Sequence, residues 1–242
     1  MSIKKISKSL LRKLGFALVK ANESKYRKVS FSQCGEDLIV RSIFTQLGIG
    51  SPSYIDIGAH HPYYLSNTAL FYEAGSRGIN IEPDPVLFGS FTQYRKEDIN
   101  LNIGISDDVS VLDFYIINNP VLNTFSKEEA ENYHKEGDYH ITKKIKIKVT
   151  TVTNVLDEFN EGKFPDFLSI DAEGVDEIIF NSLDFIKISP IVICVETISF
   201  SNKGKGEKNN SLIEFIKSKG YFLYADTYIN SIFVKNDRWE NQ

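Results

Sequence analysis

Between Ser53 and Pro85 the sequence carries two short β-branched runs, Tyr54–Ile57 and Ile79–Ile81, on either side of a segment of helical length, Leu65–Ala74. Strand, helix and strand at this spacing predict a βαβ unit with parallel strands and a helical crossover. Each strand runs out into polar residues beside a Gly or Pro: Asp56 and Gly58 after the first, Glu82 and Pro83 after the second. Ligands of open α/β sheets bind beyond the carboxyl ends of the strands, so Asp56, Gly58 and Glu82 are expected to converge on one crevice.

The composition of that crevice narrows its ligand. A carboxylate ending a second strand, Glu82, is placed to accept two hydrogen bonds from a ribose diol. Gly58-Ala59 opens a turn where backbone can approach a ligand closely. A dinucleotide site needs Gly-x-Gly-x-x-Gly, so that a pyrophosphate can rest on the helix N-terminus. Here Ala59 is followed by His60, His61 and Pro62, which are bulky or lack an N–H. That disfavours NAD and favours an adenosine ligand without pyrophosphate, S-adenosylmethionine first among them. In the plainer alternative, Asp56 and Glu82 only cap helices.

Five segments, Ser-Gln-Cys-Gly-Glu-Asp (32–37), Asp-Ile-Gly-Ala-His-His-Pro (56–62), Ser-Asn-Thr (66–68), Ile-Glu-Pro (81–83) and Ile-Asp-Ala-Glu-Gly (170–174), together resemble the FkbM-type methyltransferases. The resemblance runs in unbroken order over about residues 30 to 235. It implies a Rossmann-like, S-adenosylmethionine-dependent methyltransferase, usually acting on a hydroxyl oxygen and often in sugar or polysaccharide pathways. It places Gln33, Asp56, Gly58, Ala59, His60, Ser66, Asn67, Thr68, Glu82, Pro83 and Asp171 on the cofactor side of the site. Asp176 stands where Glu is common and Ala172 where Val is common; neither alters this expectation. The acceptor is left open.

A chain of 242 residues, 42% hydrophobic and 25% charged, is long enough for one α/β domain with a well-buried core. The formal charge is −4, but residues 1–28 hold nine Lys or Arg and one acid, which leaves −12 on residues 29–242. A body that acidic argues against a nucleic-acid substrate, whose phosphates require a basic groove. Residues 1–28 read as a basic amphipathic extension, with Ile3, Ile6, Leu10, Leu14, Ala17 and Ala21 at helical spacing. Such a helix either packs on the domain or on a second subunit, or lies on an anionic membrane surface. No run is long enough to span a membrane, and Leu14–Val19 is too short for a signal peptide. Cys34 and Cys194 are too few and too far apart for a disulfide framework or a metal knuckle. The expected compartment is the cytoplasm, with peripheral attachment to the inner membrane face as the variant the extension allows.

Residues 29–242 are read as one Rossmann-like class I methyltransferase domain, a mostly parallel sheet with helices on both faces. Phe31–Leu47 is expected as a helix opened by Ser32. Glu36 and Asp37 then fall in its first turn, where the macrodipole favours negative charge; alternatively Gln33 and Glu36 reach the cofactor edge or the acceptor. Asp84-Pro85 starts a helix to about Lys96. Leu101–Ile105 is a third strand ending in Ser106-Asp107, either a plain turn or, in the implied fold, the acceptor for the adenine amine. An added strand, Val111–Ile117, precedes a long polar excursion over the mouth, residues 118–142. Strands follow at Ile145–Val149, Phe167–Ile170 and Ile191–Val195, with helices at Val152–Phe159 and Val175–Leu183. Cys194 is then an inert core thiol. Residues 201–210 form a basic loop whose lysines, Lys203 to Lys208, are solvated or contact a substrate phosphate. Ser211 and Glu214 form a capping box, Gly220 ends that helix, and Tyr221–Ala225 with Ser231–Lys235 close the chain as an antiparallel hairpin.

Methyl transfer from a sulfonium is an in-line displacement, and an alcohol needs a base to take its proton. The candidates are Asp171, Glu173, Glu196, His60 and His61. Asp171 ends a strand beside the first one, near the methionine part of the cofactor. Asp171, Glu173 and Glu196 together can hold Mg²⁺, but a metal-free base is the favoured reading. Pro62 biases His61 to an extended conformation, so the two histidines are expected to point apart. The leading expectation is an O-methyltransferase for a sugar hydroxyl. The alternatives are an NAD-dependent nucleotide-sugar oxidoreductase and a non-catalytic, membrane-associated binding module.

Overall fold

The computed structural model describes residues 26–135, 138–172, 176–183, 185, 189–199 and 206–241. The amphipathic segment up to residue 25, Glu173 and Lys203 lie outside them. The first half runs α1 (Glu36–Gln46), β1 (Tyr54–Ile57), α2 (Ala69–Glu73), β2 (Gly78–Ile81), α3 (Pro85–Tyr94), β3 (Ile99–Leu101), β4 (Gly104–Ile105) and β5 (Ser110–Ile117). A 3₁₀ turn (Pro120–Leu122), α4 (Lys127–Lys135), β6 (Ile141–Thr150), α5 (Val152–Phe159), β7 (Phe167–Ile170) and α6 (Asp176–Ser182) follow. The chain closes with β8 (Val192–Glu196), α7 (Asn210–Ser218), β9 (Tyr221–Asp226), β10 (Asn230–Lys235) and α8 (Asn236–Glu240).

All four residues of β1 are buried, because β1 is flanked in parallel by β2 and β7 and covered on both faces. The main sheet has the order β3-β2-β1-β7-β8-β10-β9, with β10 antiparallel to both of its neighbours. Strand order reverses between β1 and β7, which makes that junction the switch point where a crevice opens. Successive strand residues feed opposite faces. Ile55, Ile57, Leu168 and Ile193 pack with Val155 of α5, Phe180 of α6 and Ile216 of α7. Tyr54, Phe167 and Cys194 pack with Val40 and Phe44 of α1 and Phe71 of α2. The α/β class and the mostly parallel sheet are those expected from the sequence. Among the described residues no helix is long and apolar enough to cross a membrane.

Several boundaries differ from expectation, each for a local reason. α1 starts at Glu36 and not at Phe31, because residues 30–35 wrap around Asp37. Ser30 Oγ, Phe31 N and Ser32 Oγ donate to its carboxylate at 2.6, 2.7 and 3.0 Å, and Gly35 takes a left-handed φ of 92°. Leu65 also has a positive φ, 56°, and Ser66 Oγ accepts from the Ala69 amide at 3.1 Å, which confines α2 to Ala69–Glu73. The expected strand Leu101–Ile105 is split. β3 stays in the main sheet while β4 joins β6 and β5 in a second, three-stranded sheet. Asn102 stands at the break, its amide donating to the carbonyls of Glu82 and Pro83 at 2.8 and 3.0 Å. α7 is capped by Asn209, whose Oδ1 accepts from the Leu212 amide at 3.0 Å; Ser211 Oγ donates to that same oxygen at 2.7 Å. Lys208 is held at the β9–β10 turn by Asp226 and the Tyr228 carbonyl, both at 2.9 Å.

Candidate active site

The turn after β1 is set by the close approach of two backbones. Gly58 has φ 75°, and a Cβ there would lie 1.9 Å from the Asp171 carbonyl oxygen, so any larger residue pushes β1 and β7 apart. The amides of Gly58 and Ala59 both donate to the Ile81 carbonyl at 3.0 and 3.1 Å, and the Asp171 amide donates to Ile57 at 3.0 Å. Three strand ends are thereby fixed against one another. His60 follows with a left-handed φ of 54°, which turns its amide onto Glu82 Oε2 at 2.7 Å. The Asp84 amide donates to Glu82 Oε1, also at 2.7 Å. Glu82 is buried, and that burial pushes its carboxyl up to about 8 against the pull of the two amides. Each oxygen retains a second acceptor lone pair.

Above these strand ends lies a cleft of about 970 Å³, its open mouth included. Its β2 side is apolar, with Leu87, Ile105, Phe114 and Phe125; the two phenylalanine rings are 4.6 Å apart. Its β7 side is polar, with Gln33, Asn67, Asp171 and Asn230. Of the residues singled out in the sequence, Gln33, Asp56, Gly58, Ala59 and His60 line the cleft, as do Asn67, Glu82, Pro83 and Asp171. Glu173 lies outside the described residues.

The others are placed differently. His61 is bound into its own turn, its Nδ1 accepting from the amides of Tyr63 and Tyr64 at 3.1 and 2.9 Å. It is absent from the lining, so the two histidines do diverge. Ser66 Oγ accepts from the Ala69 amide at the start of α2, and Thr68 is fully buried behind the wall, donating to Asp56 Oδ2 at 2.7 Å. Ser106 and Asp107 bond to each other at 3.1 Å on the surface and do not line the cleft, although Gly104 and Ile105 of β4, just before them, do. Glu36 is a buried organiser, its Oε1 accepting from Thr227 Oγ1 and Asn230 Nδ2 at 2.7 and 3.0 Å. Those bonds outweigh burial and hold its carboxyl below the usual range. Glu196 ends β8 opposite Asn230 and does not line the cleft. Burial, and then the charge of His61, lowers the His60 imidazole, against Asp84.

Two features of the site are not identified residue by residue from the sequence. The excursion over the mouth contributes Pro120, Val121, Asn123 and Phe125, and Asn123 fastens it by donating to Asp84 Oδ2 at 2.9 Å. Beneath the turn, fully buried Arg95 donates through Nε to Asp98 Oδ2 (2.9 Å), through Nη1 to the Pro62 carbonyl (3.1 Å) and through Nη2 to Tyr54 Oη (2.7 Å). Among the described residues no three of His, Cys, Asp and Glu are grouped as metal ligands.

Sheet order, switch point and strand-end carboxylate define a Rossmann-like fold of the class I methyltransferase type. The chain belongs to the FkbM methyltransferase family: the family model for the methyltransferase FkbM domain matches residues 56–223. No curated protein matches the sequence significantly. Among solved structures, a candidate caffeoyl-CoA O-methyltransferase from Staphylococcus aureus is similar at 12% identity and a TM-score of 0.46, over 96% of this chain and 93% of that one. A precorrin-6y C5,15-methyltransferase from Geobacter metallireducens aligns at 11% identity and 0.40, over 91% and 100%. A 1,6-didemethyltoxoflavin-N1-methyltransferase from Burkholderia thailandensis, solved with S-adenosylhomocysteine, aligns at 10% identity and 0.39, over 84% and 77%.

Proposed function

We propose that the protein transfers the methyl group of S-adenosylmethionine to a sugar hydroxyl, in a sugar nucleotide or a surface polysaccharide. The observation that carries the cofactor assignment is Glu82. It is a buried carboxylate in the cleft wall, held by two backbone amides and keeping an acceptor site on each oxygen for a ribose diol. The apolar side beyond it, with Phe114 and Phe125, suits a purine. The turn also fits poorly with a pyrophosphate. Its amides at Gly58, Ala59, His60, Tyr63 and Tyr64 are all engaged within the protein, and Pro62 has none.

Bound cofactor supplies an electrophilic sulfonium methyl that leaves behind a neutral thioether. The protein's part is to hold the acceptor oxygen in line, which positioning can make worth roughly 7–11 kcal/mol, and to receive the acceptor's proton. We assign the proton to Asp171, on the polar side of the cleft with Asn67, Gln33 and Asn230. These carboxamides can both donate to and accept from hydroxyls. His60 faces the same cleft, but its amide ties it to the ribose carboxylate.

Transfer of a labelled methyl from S-adenosylmethionine onto a panel of sugars, sugar nucleotides and oligosaccharides tests the assignment. Label is expected in a base-stable ether. Asp171→Asn is expected to lower kcat by about 10²-fold or more, the contribution of a positioned base, with S-adenosylhomocysteine affinity nearly unchanged. Label recovered only in base-labile esters, or an Asp171→Asn enzyme of undiminished kcat, contradicts it.

A further inference from the structure

The Arg95 cluster makes one contact that bears on the cleft. Arg95 Nη2 donates to Thr68 Oγ1 at 3.3 Å, and Thr68 Oγ1 donates to Asp56 Oδ2 at 2.7 Å. The direction is dictated by chemistry. A guanidinium only donates and a carboxylate only accepts, so the single Thr68 proton is committed to Asp56. Arg95 and Thr68 are fully buried, and Asp56 is 4% exposed while still lining the cleft. A second relay reaches the same carboxylate, with Asn67 Nδ2 donating to Ser169 Oγ at 3.2 Å and Ser169 bonded to Asp56. Asp56 is thus a cleft carboxylate held by two hydroxyls: Thr68, behind the wall and polarised by a cation, and Ser169, which lines the cleft beside it.

We propose that Thr68 is a positioning residue whose hydroxyl, held by Arg95, fixes the Asp56 carboxylate to receive the ammonium at the amino-acid end of the cofactor. The inference rests on the cofactor reading above and deepens it. Glu82, at the end of β2, takes the ribose; Asp56, on the neighbouring β1, takes the positive charge at the other end of the ligand. Loosening Asp56 therefore weakens ligands that carry the amino acid and spares adenosine, which lacks it.

Calorimetric titration of the full chain with S-adenosylhomocysteine and with adenosine separates the two ends. Thr68→Val keeps the shape and removes the hydroxyl, while Arg95 keeps Tyr54 Oη, the Pro62 carbonyl and Asp98. It is expected to weaken S-adenosylhomocysteine about tenfold, in line with loss of a hydrogen bond to a charged group, and to leave adenosine within about twofold. Thr68→Ser, which restores the hydroxyl, should restore the affinity. Equal weakening of both ligands, no weakening of either, or no rescue by Ser overturns the proposal. If Thr68→Val fails to fold, Asp56→Asn decides the matter. Selective loss of S-adenosylhomocysteine supports the proposal; unchanged affinity overturns it, because no carboxylate is then being positioned. A wild-type chain that binds neither ligand overturns the cofactor reading itself, which is a separate result.

Discussion

Glu82→Ala is expected to weaken S-adenosylhomocysteine and adenosine alike by about a hundredfold or more, since each of two hydrogen bonds to a charged group is worth about 1.5–3 kcal/mol. The loss is common to both ligands because both carry the ribose. It also leaves the amides of His60 and Asp84 without the acceptor that fixes the turn. The same carboxyl gives the binding a pH dependence. Its pKa in the folded protein is raised by burial to about 8, whereas two hydroxyl donors favour the ionised form. Below that pH a ligand must first displace the proton. Adenosine affinity should therefore rise as the pH goes from neutral through about 8 and level off above it. Adenosine has no group of its own that titrates in this window, so calorimetry across it reads Glu82. A flat profile, or a Glu82→Ala chain that binds adenosine normally, contradicts the assignment.

The second large effect concerns stability. Arg95→Met should destabilise the fold by about 3–5 kcal/mol, the range for breaking one side of a buried ion pair. At this chain length that lowers Tm by roughly 10 °C or more. Asp98 would remain buried with bonds from Tyr54 Oη (2.7 Å), the Gly78 amide (2.9 Å) and Asn80 Nδ2 (3.0 Å), but without its counter-charge. Burial also raises the Tyr54 phenol, so that hydroxyl stays protonated and cannot replace the cation. Adding Asp98→Asn should recover part of the loss by removing the stranded charge. Thermal denaturation of the two variants checks this, and an Arg95→Met chain that melts with wild type contradicts it.

The strand ends were legible because β1, β2, β7 and β8 are short apolar runs bounded by Gly, Pro or carboxylate, and parallel strands must end on the same edge. That logic alone brings Asp56, Gly58, Glu82 and Asp171 to one cleft. It fails where a polar side chain turns inward. Ser66 and Thr68 belong to a recognisable motif, yet nothing in the spacing says that Thr68 faces Asp56 and Arg95 and not the ligand. Arg95 lies in Gln-Tyr-Arg-Lys-Glu-Asp, a stretch that reads as the solvated end of a helix. It is buried because Tyr54, Asn80 and Pro62, distant in sequence, close over it. Asn123 and Phe125 sit in a polar excursion and Asn230 at the first position of β10, beside the hairpin turn, where periodicity carries no information about which residues reach the cleft. Ser106 and Asp107 form the plain turn that was the alternative to an adenine contact; that Gly104 and Ile105 before them pair with β6 of another sheet depends on a partner far along the chain.

Titration of the purified chain with S-adenosylhomocysteine and, separately, with NAD measures the central claim directly. Saturable heat with the thioether and none with the dinucleotide is the outcome predicted if Glu82 binds the ribose beside a turn whose amides at Gly58, Ala59 and His60 are already engaged. Binding of NAD with indifference to S-adenosylhomocysteine would contradict it.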